Sequence, residues 1–143
     1  MSRVDEMMSR HVLTVSPQHT LEEGAQAMIE RRTGSAVVVE GPRFIGIVTE
    51  RDVLRAVARG RVPWNTQILD VMTADPVSIP PEMETSEAIR IMIEGGFRHL
   101  PISRDGVTLE GLVSLRELLK ASALPKIGVT LVPDGAAGLS SAQ

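Results

Sequence analysis

The sequence contains no cysteine and no tyrosine among its 143 residues, and it has only two phenylalanines and one tryptophan. Without cysteine the chain can form no disulfide, no thiolate-bound zinc site and no cysteine nucleophile. The aromatic fraction of 2% leaves few of the rings on which proteins stack single-stranded nucleic acid. These absences exclude cysteine chemistry and argue against recognition of single strands.

Charge and hydropathy argue against two further classes. The net charge of −3 and the isoelectric point near 5.6 disfavour electrostatic binding to nucleic acid. No apolar run approaches the roughly 18 residues needed to cross a membrane, and the first residues lack the apolar segment of a secretion signal. We therefore expect a cytoplasmic protein that binds neither nucleic acid nor a membrane.

The sequence does contain a tandem repeat. Three pairs of segments match at a nearly constant spacing: 13–17 with 77–81, 28–30 with 92–94, and 46–52 with 111–117. The spacing grows by one in the last pair because the second copy has an extra residue in its hairpin loop. We therefore predict two copies of one unit, at 3–60 and 65–123. We expect the C-terminal extension, 124–143, to be partly flexible.

Each copy is predicted to form a strand, a helix, two strands and a second helix. In the first copy Thr20 and Glu23 form a capping box that begins a helix. The apolar run 36–39 is typical of a strand covered on both faces, and a Gly-Pro turn leads to the strand 44–48. One copy cannot cover both faces of its own sheet. We therefore predict an α+β fold with two pseudo-symmetric copies packed sheet to sheet and the helices outside.

Further elements are expected outside this pattern and in the second copy. Residues 4–8 are expected to form a short helical turn before the first strand. Trp64, in the linker, is expected to pack against the junction between the copies. Strands are expected at 99–102 and 109–113, and the run 127–132 in the extension has β character.

A hydroxyl residue ends the last strand of each copy, and an acid follows three residues later. These pairs are Thr49 with Asp52 and Ser114 with Glu117. One interpretation is a capping box for the helix that follows. The other is a phosphate site, because the first N–H groups of a helix have no partner within the helix. The residues alone allow both.

The repeated β-α-β-β-α unit, ending in Gly-apolar-apolar-Thr/Ser-x-x-Asp, resembles the CBS (cystathionine β-synthase) domain pair, also called a Bateman module. The resemblance rests on the motifs at 46–52, 70–73 and 98–102 and covers roughly residues 3–122. It implies a stand-alone regulatory module that binds adenosine-containing ligands, such as AMP, ADP, ATP or S-adenosylmethionine, between the repeats. It also implies a disc-shaped homodimer that acts on a regulated protein.

Carried over position by position, the resemblance implies one well-furnished ligand site. Its residues are Gly46, Ile47, Thr49, Arg51, Asp52, Pro76, Val77, Ser78, Phe97, Arg98, His99 and Pro101. Asp52 would accept hydrogen bonds from the ribose hydroxyls, and Arg98 and His99 suit a phosphate beside a helix N-terminus. We expect an adenine nucleotide as the regulatory ligand, with magnesium accompanying a polyphosphate, and no obligatory cofactor.

The resemblance implies a second, weaker site. Its residues are Leu13, Thr14, Gly34, Ser35, Val37, Leu112, Ser114 and Glu117. Glu117 is one methylene longer than the expected aspartate. Gly34 and Ser35 stand where the second copy has Arg98 and His99, so the strand alignment places no cation there. We expect this site to prefer ligands with less phosphate charge.

Other functions have weaker support. The three histidines lack metal-ligand spacing, so no metal site is expected. A nucleotide hydrolase would have only His99 and Glu50 to activate water and no group to orient them, so we expect no enzyme. A dimerisation or partner-binding module without a ligand, or a sensor of S-adenosylmethionine, stays open. The basic residues that follow the first site are expected to form a solvated helix face, the alternative being that they assist a polyphosphate or contact a partner: Arg51, Arg55, Arg59 and Arg61.

Overall fold

The computed structural model describes residues 2–122. Its strands are β1 (Thr14–Val15), β2 (Ser35–Glu40), β3 (Arg43–Thr49), β4 (Thr73–Ala74), β5 (His99–Ile102) and β6 (Gly111–Ser114). Its helices are α1 (Leu21–Arg31), α2 (Glu50–Ala58), α3 (Ile68–Val71), α4 (Thr85–Gly95) and α5 (Leu115–Ser122), with short 3-10 helices at Val4–Glu6 and Pro63–Asn65. The predicted extension, 124–143, and its run 127–132 lie outside the described residues. None of the described helices has the length and apolar character needed to span a bilayer.

The two halves repeat one sheet order. In the first, β1 pairs parallel with β2, and β3 pairs antiparallel with both β2 and β4. In the second, β5 and β6 are antiparallel. Single bridges extend that sheet on both sides, from Ile79 to Ile102 in parallel and from Ser9 to Leu112 in antiparallel. The predicted α+β fold with two pseudo-symmetric copies is confirmed.

The register of the strands confirms the spacing of the repeat. Ser35 pairs with Thr49 in the first sheet, and His99 pairs with Ser114 in the second. Ser35 and His99 are therefore structural counterparts, and so are Thr49 and Ser114. The second pair of counterparts lies one position further apart in the sequence than the first, because the second hairpin has one more residue.

The two hairpins meet at the pseudo-twofold axis. Arg43 and Thr108, which are counterparts in the repeat, form an antiparallel bridge. Beside it, the Phe44 N–H donates to the Val107 carbonyl at 3.0 Å. A residue that pairs with its own counterpart must lie next to the symmetry axis, so this bridge fixes how the two sheets face each other.

Each half has its own apolar core between its sheet and its helices. The first core contains Val15, Leu21, Met28, Ala36, Val38, Val48, Ala56 and Ile68. The second contains Val4, Ile79, Ala88, Met92, Leu100, Ile102, Val113 and Leu118. Because side chains alternate along a strand, Val37 and Ile47 point away from the first core, as Pro101 and Leu112 do from the second. These inner faces form the sheet-to-sheet layer.

The short helix at the start of each copy packs in the core of the other copy. Val4 is buried in the second core, and Ile68 is buried in the first. Backbone bonds repeat the exchange, since the Val4 N–H donates to the Met83 carbonyl and the Ile68 N–H donates to the His19 carbonyl, each at 2.8 Å. Neither core is therefore complete without an apolar residue from the short helix of the other copy.

Two local predictions are wrong. Trp64 is 68% exposed instead of packed against the junction. Its 3-10 turn lies on the surface and is closed by a bond of 2.8 Å from the Thr66 hydroxyl to the Val62 carbonyl. The return strand of the second copy begins at Gly111, not at residue 109.

The later start of β6 has a physical cause in the preceding turn. The Asp105 carboxylate accepts bonds from the N–H groups of Val107 at 2.8 Å and Thr108 at 2.7 Å. These donors also hold the pKa of Asp105 well below its usual range. The turn therefore extends to Thr108, and pairing with β5 starts with the bond of 2.9 Å from the Glu110 N–H to the Ile102 carbonyl.

Replacement of Ile68 should show how far the first half depends on the exchanged segment. The Ile68 Cδ1 atom lies 2.7 Å from the position that a Cβ on Gly24 would take, so this side chain packs directly onto the α1 backbone. We expect Ile68→Ala to lower the free energy of unfolding by about 2–5 kcal/mol in urea titrations. The matched change Leu69→Ala, at a half-exposed neighbour, should cost less than about 1 kcal/mol. Equal losses of unfolding free energy in the two variants would show that the first core does not depend on Ile68.

Candidate functional site

A cavity of about 650 Å³ opens between the end of β3 with α2 and the segment that enters β5. Nine of the residues predicted for the main site line it: Ile47, Thr49, Arg51, Asp52, Pro76, Val77, Phe97, Arg98 and His99. Further lining residues were not predicted for this site: Gly34, Glu50, Leu54, Arg55, Thr73, Asp75, Gly96 and Leu100. Leu54 and Arg55 lie one helical turn after Arg51, so helical periodicity was the available signal.

Three residues predicted for the main site, Gly46, Ser78 and Pro101, are not in the lining of this cavity. Gly46 has a packing role instead. A Cβ at Gly46 would lie 2.5 Å from the Met72 sulfur and 3.0 Å from the Thr73 carbonyl oxygen. The glycine therefore allows β4 to pair closely with β3.

At the junction of β3 with α2, Thr49 and Asp52 form a capping box and also line the cavity, so both interpretations of this motif apply. The Thr49 N–H donates to the Asp52 carboxylate at 2.8 Å, and the Asp52 N–H donates to the Thr49 hydroxyl at 3.4 Å, which is a capping box. Arg55 donates to the other Asp52 carboxylate oxygen at 3.1 Å. The Thr49 hydroxyl also donates to the first of these oxygens at 3.2 Å. A carboxylate has about four lone-pair sites, so Asp52, which is only 8% exposed, keeps one free and gains a second if the Thr49 hydroxyl rotates. It caps the helix and still lines the cavity.

The opposite wall is formed where α4 ends and β5 begins. Gly96 ends the helix with φ at +73°, a left-handed conformation that favours glycine. The Phe97 ring then folds back over Gly95, where a Cβ would collide with it. Arg98 and His99 follow this turn directly and line the cavity.

His99 lies half-buried at this wall. Burial lowers its pKa from the usual 6.5, while nearby Glu50 and Glu117 raise it and Arg98 lowers it further. The net shift is downward because burial is the largest effect. The imidazole is therefore neutral near pH 7, and an anion placed beside it would favour its protonation.

A second cavity, of about 1150 Å³, lies at the pseudo-symmetric position. Six residues predicted for the weaker site line it, namely Leu13, Gly34, Ser35, Leu112, Ser114 and Glu117, whereas Thr14 and Val37 do not. The capping pair recurs here, since the Ser114 hydroxyl donates to the Glu117 carboxylate at 2.8 Å and accepts from the Glu117 N–H at 3.2 Å.

Cations line this second cavity although the strand alignment placed none there. They come from the end of α1 and from α5: Arg31, Arg32, Arg116 and Lys120. The strand alignment missed them because they lie on helices. The sequence places these cations at the end of α1 and along α5, but it does not show that the two helices bring them to one cavity.

The two cavities share a wall. Gly34, Glu50, Arg98 and His99 line both. Gly34 lets the Glu50 carboxylate lie close to the backbone, since a Cβ there would be 3.1 Å from the Glu50 carboxyl carbon. Within residues 2–122, His, Asp and Glu side chains nowhere gather in a group of three able to hold a metal ion.

Comparison with known proteins agrees with this architecture. The family model of the CBS domain matches residues 4–59 and 68–124. The CBS domain-containing protein YhcV of Bacillus subtilis is 38% identical over 119 residues, which are 82% of this chain and 84% of that protein. Three other curated relatives are longer, and the chain spans 73%, 61% and 25% of their lengths.

Two solved structures have the same fold. A CBS-domain containing protein from Agrobacterium tumefaciens is 30% identical, with a TM-score of 0.78 over 84% of this chain and 98% of that one. A CBS domain protein from Pyrobaculum aerophilum, complexed with AMP, is 24% identical, with a TM-score of 0.79 over 90% of this chain and 100% of that one. The repeat, the shared sheet order and the matches to both halves lead to one conclusion. The chain belongs to the CBS domain family, as a tandem pair of CBS domains.

Proposed function

We propose that the chain is a regulatory module that binds an adenine nucleotide of the AMP, ADP or ATP class in the 650 Å³ cavity between its halves. The observation that carries this proposal is the buried Asp52 carboxylate in one wall and Arg98 with His99 in the other. A cavity of this size falls within the range of small-molecule sites. The AMP complex of the Pyrobaculum protein supports the proposal through the shared fold.

Each part of a nucleotide has a chemically suited partner in this cavity. Asp52 would accept the ribose hydroxyls, and Arg51 and Arg98 would donate to phosphate oxygens. The apolar side chains of Ile47 and Val77 would cover the base. S-adenosylmethionine stays the alternative ligand, because the three carboxylates of the cavity, Glu50, Asp52 and Asp75, would suit its positive sulfonium.

The ligand acts by bridging the halves. It shifts the population of dimeric or partner-binding states to the extent that it binds one state more tightly than the other. The proposed role is regulatory and not catalytic, since a hydrolase would have only His99 and Glu50 to activate water.

Replacement of the Asp52 carboxylate should separate ligand binding from helix capping. In Asp52→Asn the amide oxygen still accepts from the Thr49 N–H, but the charge is lost. For the wild type, AMP at 100 times its dissociation constant should add about 2.7 kcal/mol of stability and raise the melting temperature by several degrees. At the same AMP concentration the variant should lose most of this shift.

The control is Asp70→Asn, which makes the same change at a capping aspartate of α3 that lies outside both cavities. It should keep the full AMP shift. A shift that survives in Asp52→Asn would refute the role of Asp52. A panel of AMP, ADP, ATP and S-adenosylmethionine that gives no shift with any ligand would favour a module that only joins proteins.

Nucleotide binding should depend on pH through His99. In the free protein burial lowers the pKa of His99, and a phosphate beside the ring would raise it, so binding takes up a proton. Affinity should therefore increase as pH falls from 7.5 to 5.5. The increase should be up to roughly tenfold for each unit by which the ligand raises the pKa of His99. Calorimetry on wild type and His99→Asn measures this.

The phosphate of AMP itself titrates near pH 6, and this effect is common to both proteins. The ratio of the AMP dissociation constants of wild type and His99→Asn therefore reports only the contribution of the His99 imidazole. A ratio that stays constant across the pH range would show that His99 does not titrate against the ligand.

We further propose that the module forms a homodimer through its exposed helix faces. Ile29 on α1 is 79% exposed, and its counterpart Ile93 on α4 is 66% exposed. Leu54 on α2 is 69% exposed. Exposed apolar groups at repeated positions on several helices indicate a surface that another protein covers.

Charge placed on this surface should separate the subunits. We expect the double variant Ile29→Asp, Ile93→Asp to have the mass of a monomer in light scattering, because burial of two carboxylates in an apolar interface is strongly unfavourable. The control Val107→Asp, at an exposed apolar residue of the hairpin, should remain a dimer. A double variant that remains a dimer would place the interface elsewhere.

A further inference from the structure

The wall between the two cavities is built from equivalent positions of the repeat that differ in charge. The first half contributes Gly34 and Glu50, and the second half contributes Arg98 and His99. Equivalent backbone bonds hold the two sides, from the Glu50 N–H to the Gly34 carbonyl at 2.9 Å and from the Leu115 N–H to the Arg98 carbonyl at 2.8 Å. The cations of this wall therefore come from one half only, although the backbone is symmetric.

Both helices that follow the last strands begin at this wall. Glu50 is the first residue of α2, and Leu115 is the first residue of α5. The first N–H groups of a helix favour an anion, so a phosphate in either cavity would lie beside the start of one of these helices. Two phosphates bound at the same time would therefore both approach Arg98 and His99.

The His99 side chain responds to charges in both cavities. Burial lowers its pKa, whereas Glu50 in the shared wall and Glu117 in the second cavity raise it, and Arg98 lowers it further. A group that responds to carboxylates on both sides also responds to phosphates placed on either side. The wall can therefore transmit the occupancy of one cavity to the other.

The second cavity also offers a ligand groups of its own. The Ser35 hydroxyl lines it, is only 2% exposed and has no hydrogen-bond partner within residues 2–122. Such a hydroxyl costs stability unless a ligand satisfies it. Further cations reach this cavity from α1 and α5, namely Arg31, Arg32 and Lys120. An occupied first cavity would therefore weaken a ligand here without excluding it.

We propose that nucleotide binding in the two cavities is negatively coupled, because the phosphates of both ligands share the single pair of Arg98 and His99. An AMP bound in one cavity lowers the affinity of the other. The inference rests on the proposed function and concerns its regulation. Two phosphates beside one wall repel each other, and each receives less compensation from a shared cation. The chain therefore fills over a wider range of nucleotide concentration than it would with independent cavities.

The test measures AMP binding by calorimetry at low ionic strength in wild type and in two variants that each leave one cavity open. Val77→Trp fills the first cavity, and Val12→Trp, at the position equivalent to Pro76, fills the second, while the charges of the wall stay the same. The second AMP should bind to wild type roughly tenfold or more weakly than AMP binds to the variant in which only that cavity is open. For adenosine, which has no phosphate, the two affinities should agree within about twofold.

Gly34→Arg supplies the cation that the first half lacks. A Cβ at this position lies 3.1 Å from the Glu50 carboxyl carbon, so the Glu50 side chain must shift slightly. With a guanidinium on each side of the wall, the coupling between the two AMP molecules should fall to within about threefold. The control Asn65→Arg adds the same charge at an exposed residue outside both cavities and should leave the coupling unchanged.

Three results would overturn the coupling and leave the proposed function standing. Wild type might bind two AMP molecules with the affinities of the two single-cavity variants, Val77→Trp might bind no AMP, or adenosine might show the same coupling as AMP. Absence of AMP binding to wild type would instead refute the proposed function together with the coupling. If a Trp variant does not fold, the ratio of the two AMP dissociation constants decides. It must exceed the ratio for adenosine in wild type and decrease in Gly34→Arg.

Discussion

The rest of the structure depends on the two short helices Val4–Glu6 and Ile68–Val71, each of which packs in the core of the other half. Val4 completes the second core and Ile68 completes the first, so neither half can bury its apolar surface while the other is unfolded. The bridge between Arg43 and Thr108 then fixes the angle between the sheets. Both cavities lie between elements held in this way. They are therefore largely preformed, and a ligand has little ordering entropy to overcome on binding.

Preformed cavities explain how one short motif has two roles. Thr49 and Asp52 satisfy the free N–H groups at the start of α2, and the same bonds hold the carboxylate in one rotamer at the edge of the first cavity. A capping box contributes about 1 kcal/mol to a helix. The larger consequence here is orientation, because a buried carboxylate with fixed geometry is a better acceptor for a diol than a mobile one. Capping and recognition therefore reinforce each other.

The sequence predicted the features that depend on local pattern and failed where distant elements converge. The spacing of the repeat correctly matched Ser35 with His99, because strand register follows alternation and turn length. The exposure of Trp64 and the exchange of Val4 and Ile68 were not predicted, because apolar character does not specify which core receives a side chain. The cations on α1 and α5 were missed for the same reason. Their meeting point is set by how the helices cross the sheets, and no periodicity encodes that angle.

The difference between the cavities follows from one position in the repeat. Gly34 and Arg98 are counterparts, and a Cβ at position 34 would lie 3.1 Å from the Glu50 carboxyl carbon, so a larger residue there requires the Glu50 side chain to shift slightly. The first half therefore brings no cation of its own at this position, and Arg98 of the second half lines both cavities. The further cations of the second cavity come from the end of α1 and from α5. Pseudo-symmetry in the backbone is thus compatible with two chemically different sites.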